Sequence, residues 1–442
     1  MIRLIAAIAF CAALPLSAQA EDLLQVYRDA SAYDAQFAAA RYALQAGQEK
    51  LPQGRALLLP TLGLSANLTD TRLRLDSYNN TLQPSYDRPY RNDGYTLNFS
   101  QPIYRKQNLL QYDEAEYEVK QAEATFGQAA QDLIVRTAQA YFDVLAAQDT
   151  LTLVEAQKAA ISEQLAQAKR NFEVGTATIT DTHEAQARYD LIIAQEIAAQ
   201  SDLENKKSAL RQITGKEYAG LAPLRKNVKL SLPNPNDAQS WVGLAEQQSY
   251  PVQLQQATLE IANLEAKRNA AGHYPTLDLV ASYGVTDQTG SSLTAVGSSI
   301  YQGAVGLQLA LPLYQGGAIS SREREAAANY EQAKQNLENA RRSAALAARQ
   351  SYLGVVNGVA QVGALEQALI SSQSALDSNK LGYEVGVRIN IDVLNAQQQL
   401  YSTERDLALA RYNTITTQLK LKAAAGSLRE EDLELVNLAL AP

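Results

Sequence analysis

Cysteine is almost missing from this 442-residue chain: the single copy, Cys11, lies in an apolar stretch at the N-terminus. Without residues 1–20 no thiol remains, which excludes disulfides, thiolate nucleophiles and cysteine metal sites. Histidine is nearly as scarce. His183 and His273 lie far apart and in no metal-ligand spacing. No nucleophile–base pair, phosphate loop or cofactor motif is present, so the sequence reads as a protein that is not an enzyme, with no cofactor and no metal site. Proline is absent from residues 103–222 and 313–441, so no proline interrupts a helix there. After residue 20 no apolar run reaches about 18 residues, so no segment reads as a transmembrane helix. A membrane role would have to come from strands. Charge of one sign is lacking too. The 39 basic and 47 acidic residues give −8, or −9 without Arg3, and they are mixed along the chain. That argues against nucleic acid or anionic lipid as a general partner.

Residues 1–20 have the form of a cleaved signal peptide. Arg3 precedes an apolar core from Leu4 to Leu16, and Ala18-Gln19-Ala20 is a small-x-small cleavage site. Phe10 directly before Cys11 does not suit a lipid anchor. The chain is expected to be exported.

What is present is a duplication. Phe172-Glu173-Val174-Gly175 returns as Tyr383-Glu384-Val385-Gly386, Asp181 as Asp392 and Gly215 as Gly426, each time 211 residues later (383 − 172 = 426 − 215 = 211). A period near half the chain points to an internal two-fold repeat rather than to a solenoid. Between the proline-free stretches the pattern has a period of two. Leu62, Leu64, Ala66 and Leu68 alternate with small or polar residues, as do Tyr95, Leu97 and Phe99, then Leu277, Leu279, Ala281, Tyr283 and Val285, then Tyr301 to Leu311. Such runs predict strands with one apolar face. Asp70 to Asp93 reads as a long loop with some strand extension, and Gly290 to Gly297 as a second loop.

The remainder reads as helix. Glu21 to about Gly54 has helical spacing, and Tyr104–Phe172 and Tyr314–Tyr383 can each form one helix on the order of 100 Å long. Ile134, Ala138, Tyr141 and Leu145 form one narrow seam; Ala187, Leu191, Ala194 and Ala198 form another on the return helix. Val174-Gly175 and Val385-Gly386 stop the outgoing helices, and Asp181 with Glu184 resembles a capping box. Residues 216–237 form an irregular connector. Four amphipathic strands cannot close a barrel, and an open edge in lipid costs several kcal/mol per unpaired backbone group. Two chains would give eight strands and three would give twelve; the sequence pattern favours neither.

Five segments carry a resemblance. They are Leu58-Leu59-Pro60-Thr61-Leu62-Gly63-Leu64, Leu210-Arg211-Gln212-Ile213-Thr214-Gly215, Gly272-His273-Tyr274-Pro275-Thr276-Leu277-Asp278-Leu279, Leu311-Pro312-Leu313-Tyr314-Gln315-Gly316-Gly317, and the two Val-Gly turns. In this order and duplication the chain resembles the TolC family of outer-membrane channel-tunnels from Glu21 to its C-terminus. The resemblance implies an α+β membrane protein: a homotrimer with a twelve-stranded transmembrane β-barrel, four strands per chain, continued by a twelve-helix α-barrel across the periplasm. On that basis residues 21–56 are the N-terminal helix of an equatorial belt, 57–103 the first β-hairpin, and 104–215 the first helical hairpin, with its tip near 174–181. Residues 216–237 are the equatorial connector and 238–272 the entry helix of the second repeat. The second β-hairpin is 273–313, the second helical hairpin 314–426 with its tip near 385–392, and the tail 427–442.

The same resemblance implies roles for residues. Thr180, Asp181, Tyr383 and Arg388 match positions that link the coils at a closed periplasmic mouth. Asp392 and Asn395, three apart on a helix, match an acidic ring at the constriction, where the family's better-known member has an aspartate in place of Asn395. A weaker negative ring is expected here. Val174, Gly175, Val385 and Gly386 match the tips that periplasmic adaptors touch. Partners would be an adaptor and an inner-membrane transporter of the RND, MFS or ABC type, with outer-membrane lipid around the barrel and no nucleic acid. Tyr95, Tyr104, Tyr283, Tyr301 and Tyr314 suit an interfacial aromatic belt. The function implied is an outer-membrane exit duct for drugs, small toxic compounds or secreted proteins. The competing reading is a periplasmic coiled-coil adaptor, which would lack lipid-facing strands.

Overall fold

The computed structural model describes residues 21–76, 78, 85–225, 228–292 and 294–441. The signal peptide expected at residues 1–20, and Asn79, Asn80 and Pro84 of the expected loop, lie outside the described residues. The chain forms two compact units. One joins Tyr42–Thr125 to Gln253–Ala340; the other joins the N-terminal segment up to Arg41 to Phe126–Val252 and to the chain from Arg341 onward.

The first unit holds one antiparallel sheet in the order β1-β2-β3-β4, from β1 (Thr61–Leu75), β2 (Tyr86–Tyr104), β3 (Thr276–Gln288) and β4 (Ser298–Ala310). Its register sorts the side chains by face. Leu62, Phe99, Ala281 and Val305 stand in one row, Leu64, Leu97, Tyr283 and Gly303 in the next, and Ala66, Tyr95, Val285 and Tyr301 in the third. Intervening rows, such as Gly63, Asn98, Ser282 and Ala304, face the other way. The apolar face is largely bare: Leu64 is 71% exposed, Val305 79% and Leu309 69%, while Val285 is buried. On β3 it runs from Leu277 to Val285, nine residues, and the next row holds Asp93 and Asp287. That length suits a strand crossing a bilayer, about 9–11 residues.

The strands are longer than their apolar alternation. Asp70 to Asp93 was expected to be mainly loop, yet pairing continues to Leu75 opposite Tyr86. On β1 the extension alternates Leu73 and Leu75 with Arg72 and Arg74, but the facing part of β2 mixes Asp87, Arg88 and Arg91 with Pro89, so no apolar face marks the pair as a whole. Pro89 is tolerated because β3 begins to pair only at Asn92, leaving β2 one neighbour at Pro89. Pro102 sits at a register shift.

The helices α4 (Lys106–Glu173) and α8 (Ala318–Glu384) run 68 and 67 residues, and α5 (Ile179–Thr214) and α9 (Asn390–Ala424) return 36 and 35. One 18-residue window of α8 reaches a mean hydropathy of 1.3, enough by length and composition alone to cross a membrane. Alanine, leucine and valine are frequent in α8, a helix far longer than the roughly 20 residues a span needs.

In the second unit, α1 (Leu23–Tyr33), α10 (Glu430–Asn437) and the connector gather around α4 and α9. Leu23, Val26, Leu133, Tyr141, Phe142, Tyr412 and Leu433 form the largest core cluster. Tyr141 Oη donates to the carbonyl of Ala222 at 2.8 Å. Phe142 stacks on Tyr412 with centroids 5.6 Å apart, and Tyr412 Oη donates to Asp149 Oδ2 at 2.6 Å. Burial pushes both the Tyr412 phenol and the Asp149 carboxyl upward.

The N-terminal segment is not one helix. It breaks at Asp34 and Glu49 into α1, α2 (Ala35–Gln48) and α3 (Lys50–Ala56). Asp34 ends α1, and its Oδ1 accepts from the Phe37 N–H at 2.6 Å. The matching break falls 215 residues later at Ser249, between α6 (Ala238–Gln248) and α7 (Tyr250–Ala270). The seam expected on α4 is buried at Ile134, Ala138, Tyr141 and Leu145. The one expected on α5 is not: Ala187, Leu191, Ala194 and Ala198 are exposed, and Ala185, Ile192, Ala199, Leu203 and Leu210 are buried instead.

Candidate functional site: two matched helix tips

The turns that join the long helices are built alike, bond for bond. In the first, Val174 N–H donates to Arg170 O, Gly175 N–H to Phe172 O, and the N–H groups of Thr176 and Ala177 to Asn171 O. In the second, Val385 donates to Leu381, Gly386 to Tyr383, and Val387 and Arg388 to Gly382, every position 211 later. Gly175 and Gly386 have φ of 79° and 77°, the left-handed conformation that lets the chain leave a helix and turn. The apolar side chains here have no core to enter: Val174 is 72% exposed and Val387 76%.

The caps differ. Asp181 is not the N-cap of α5, and Glu184 is not its capping partner. Thr178 is the N-cap, with its Oγ1 accepting from Asp181 N–H, while Asp181 Oδ2 accepts from Thr178 N–H at 2.9 Å. Asp181 is therefore the third helical residue of a reciprocal box. The sequence carries that signal as Thr-x-x-Asp, one turn earlier than expected. At the second tip Ile389 occupies the cap and has no side-chain acceptor, so only the return half survives: Asp392 Oδ2 lies 3.5 Å from Ile389 N. The same oxygen lies 3.7 Å from Arg388 Nη1. Gly382 leaves room for that arginine, because a Cβ there would stand 2.7 Å from Arg388 Cγ.

Of the residues expected at the mouth, the structure brings together Arg388 with Asp392. Tyr383 Oη accepts instead from Asn171 Nδ2 at 3.2 Å, which ties the end of α8 to the end of α4. Thr180 is exposed, and no hydrogen bond links it to Tyr383 or Arg388 among the described residues. Asn395 Oδ1 accepts from Arg188 Nη2 at 3.0 Å. Asn171 and Arg188 were not anticipated, since their partners lie more than 200 positions away (383 − 171 = 212; 395 − 188 = 207). His183 and His273 are exposed, and no cluster of three or more metal-ligating side chains occurs among the described residues.

Paired strands with one bare apolar face, joined to two long helical hairpins, are the makeup of an outer-membrane channel subunit. The chain belongs to the outer membrane efflux protein family, whose model matches residues 26–216 and 241–427. The break between the two matches spans the connector. The chain is 36% identical to the outer membrane protein TolC of Escherichia coli over 433 residues, 96% of this chain and 85% of that protein. It is 34% identical to the proteases secretion protein PrtF of Dickeya chrysanthemi over 428 residues, 94% of this chain and 90% of that one. Among solved structures, the CmeC outer membrane channel of Campylobacter jejuni shares the fold with a TM-score of 0.80 at 18% identity, covering 95% of this chain and 90% of that chain. The outer membrane protein VceC of Vibrio cholerae has a TM-score of 0.77 at 21% identity, covering 92% and 96%. The protein resides in the outer membrane.

Proposed function

We propose that this protein is the exit duct of a tripartite export system, passively conducting cargo from an inner-membrane pump across the periplasm and outer membrane. The observation that carries the reading is the sheet. Its apolar face is exposed and its edge strands β1 and β4 each lack a neighbour. Backbone groups on a bare edge cannot remain unpaired in lipid. Copies of the chain supply the missing neighbours; three give a twelve-stranded barrel, with the four long helices of each chain forming the tunnel wall. The exposed stripe of Ala187, Leu191, Ala194 and Ala198 is then covered by an adjacent chain. A periplasmic adaptor would have no use for such a sheet.

The two tips form the periplasmic mouth. Val174, Gly175, Val385 and Gly386 present the apolar surface that an adaptor covers. Tyr383, Arg388, Thr180 and Asp181 bias the mouth towards closure, and Asp392 and Asn395 line the constriction. The pump belongs to the RND, MFS or ABC type. Relatives named for protease secretion make secreted proteins a candidate cargo beside small compounds.

The test uses one engineered cysteine. Ala177→Cys, beside the first tip, is coupled to a photocrosslinker in cells and the captured protein is identified. Capture of an adaptor serving a proton-driven pump assigns small-molecule efflux; an adaptor of an ABC exporter assigns secretion. Cysteines on the strands that label normally, with no capture at the tip, would refute the tip assignment.

A further inference from the structure

Arg188 lies on α5 and is held between two side chains of α9. Its Nη1 donates to Gln398 Oε1 at 2.6 Å and its Nη2 to Asn395 Oδ1 at 3.0 Å. Both acceptors are neutral amides, so the bonds orient the guanidinium without cancelling its charge. Both bonds are solvent-exposed. One turn away, Asp392 has Arg388 at 3.7 Å. The side chains gathered on this face of α9 therefore carry one carboxylate (Asp392), two guanidiniums (Arg388 and Arg188) and the uncharged Asn395.

We infer that Arg188 sets the charge preference of the constriction, offsetting the negative charge of Asp392 and admitting anions. The inference rests on the proposed constriction at Asp392 and Asn395. In a ring of symmetry copies each acidic position is accompanied by Arg388 from the turn before α9 and by Arg188 from α5. The asparagine does more than omit a carboxylate: its amide oxygen holds an arginine at the pore without neutralising it. It follows that Asn395→Asp cannot by itself restore an acidic ring, because the new carboxylate would stand where Asn395 Oδ1 now meets Arg188. The two positions are coupled.

The test is the cation-to-anion permeability ratio of the purified full-length protein in planar lipid bilayers, read from the reversal potential in a potassium chloride gradient. Four variants are compared with the parent: Arg188→Gln, Asn395→Asp, both together, and Asp392→Asn. Glutamine keeps a donor towards α9 while removing the charge. Arg188→Gln should raise the ratio on the order of twofold or more, as expected for removing a nearby unit charge from a narrow pore. The double variant should exceed the product of the two single effects, since the new aspartate is then unpaired. If Asp392→Asn lowers the ratio while Arg188→Gln leaves it unchanged, the constriction stands and the role of Arg188 is refuted. If Asp392→Asn has no effect either, the constriction reading falls and the inference falls with it.

Discussion

The two repeats use one backbone plan and lock it differently. Both tips make the same four turn bonds around a left-handed glycine. The first closes its return helix with the Thr178–Asp181 box; the second has Ile389 at the cap and turns its aspartate partly towards Arg388. The helix breaks diverge in the same way. Asp34 caps α2 and takes a two-pronged ion pair from Arg136, with both N–O distances at 3.2 Å. Its counterpart Ser249 is buried, and its hydroxyl has no partner among the described residues. Backbone geometry is shared, then, because it is fixed by glycine position and helix length. The side chains that reinforce it are free to specialise.

The sharpest way to break this comparison is at the breaks. Asp34→Ala removes a cap and an ion pair and should cost about 2 kcal/mol of local stability. Ser249→Ala should be neutral or slightly stabilising, because an unpartnered buried hydroxyl contributes nothing and costs desolvation. Hydrogen exchange at the α1–α2 and α6–α7 junctions of the detergent-solubilised protein measures both. The asymmetry depends on pH. Burial works against the Asp34 charge, but the bonds from Arg136 and Phe37 prevail and hold its carboxyl below the ordinary range. Its contribution is present above the unfolded-state value near 3.8 and is lost as pH falls through the lowered folded value. Exchange protection at the first junction should drop in that acidic window, while the second junction holds.

At the tips, Gly175→Ala and Gly386→Ala should each cost roughly 1–2 kcal/mol. A Cβ meets nothing within 4 Å at either position, so the penalty is backbone strain alone and should be equal in both repeats. Limited proteolysis at the tips would show it; unequal nicking of the two variants would contradict a shared plan. Thr178→Ala should loosen the first tip by about 1 kcal/mol, and Ile389→Thr should tighten the second by up to about that amount. Amide exchange in the first turns of α5 and α9 distinguishes the two. The smallest effect belongs to Arg388→Gln. Its pair with Asp392 is long and exposed, so stability should change by less than about 0.5 kcal/mol, as thermal melting would register.

Much of the plan is legible in the sequence. The four strands show because one side of each faces a single environment, and the long helices show because nothing interrupts them. The Val-Gly turns are legible from their repetition alone. Other features escape, three of them for reasons of packing and spacing. Helix α5 carries small or apolar stripes on more than one side, so Ala187 to Ala198 and Ala185 to Ala199 are equally periodic; which stripe a partner covers is a fact of packing. The break at Asp34 is hidden because aspartate there also satisfies helical spacing. Arg188 reads as a solvated helix residue, since no local pattern announces a partner on the other repeat.

The bare edges of β1 and β4 bear on how the protein is made. A single copy of this sheet has no comfortable solvent: its apolar face resists water, and its unpaired edges resist lipid. In the oligomer proposed above, insertion and association would proceed together. The rate of maturation should rise more steeply than linearly with chain concentration, while unpaired single copies drain into aggregation or degradation. The yield of finished channels is then set by a race between encounter and loss, one that dilution should tip against assembly.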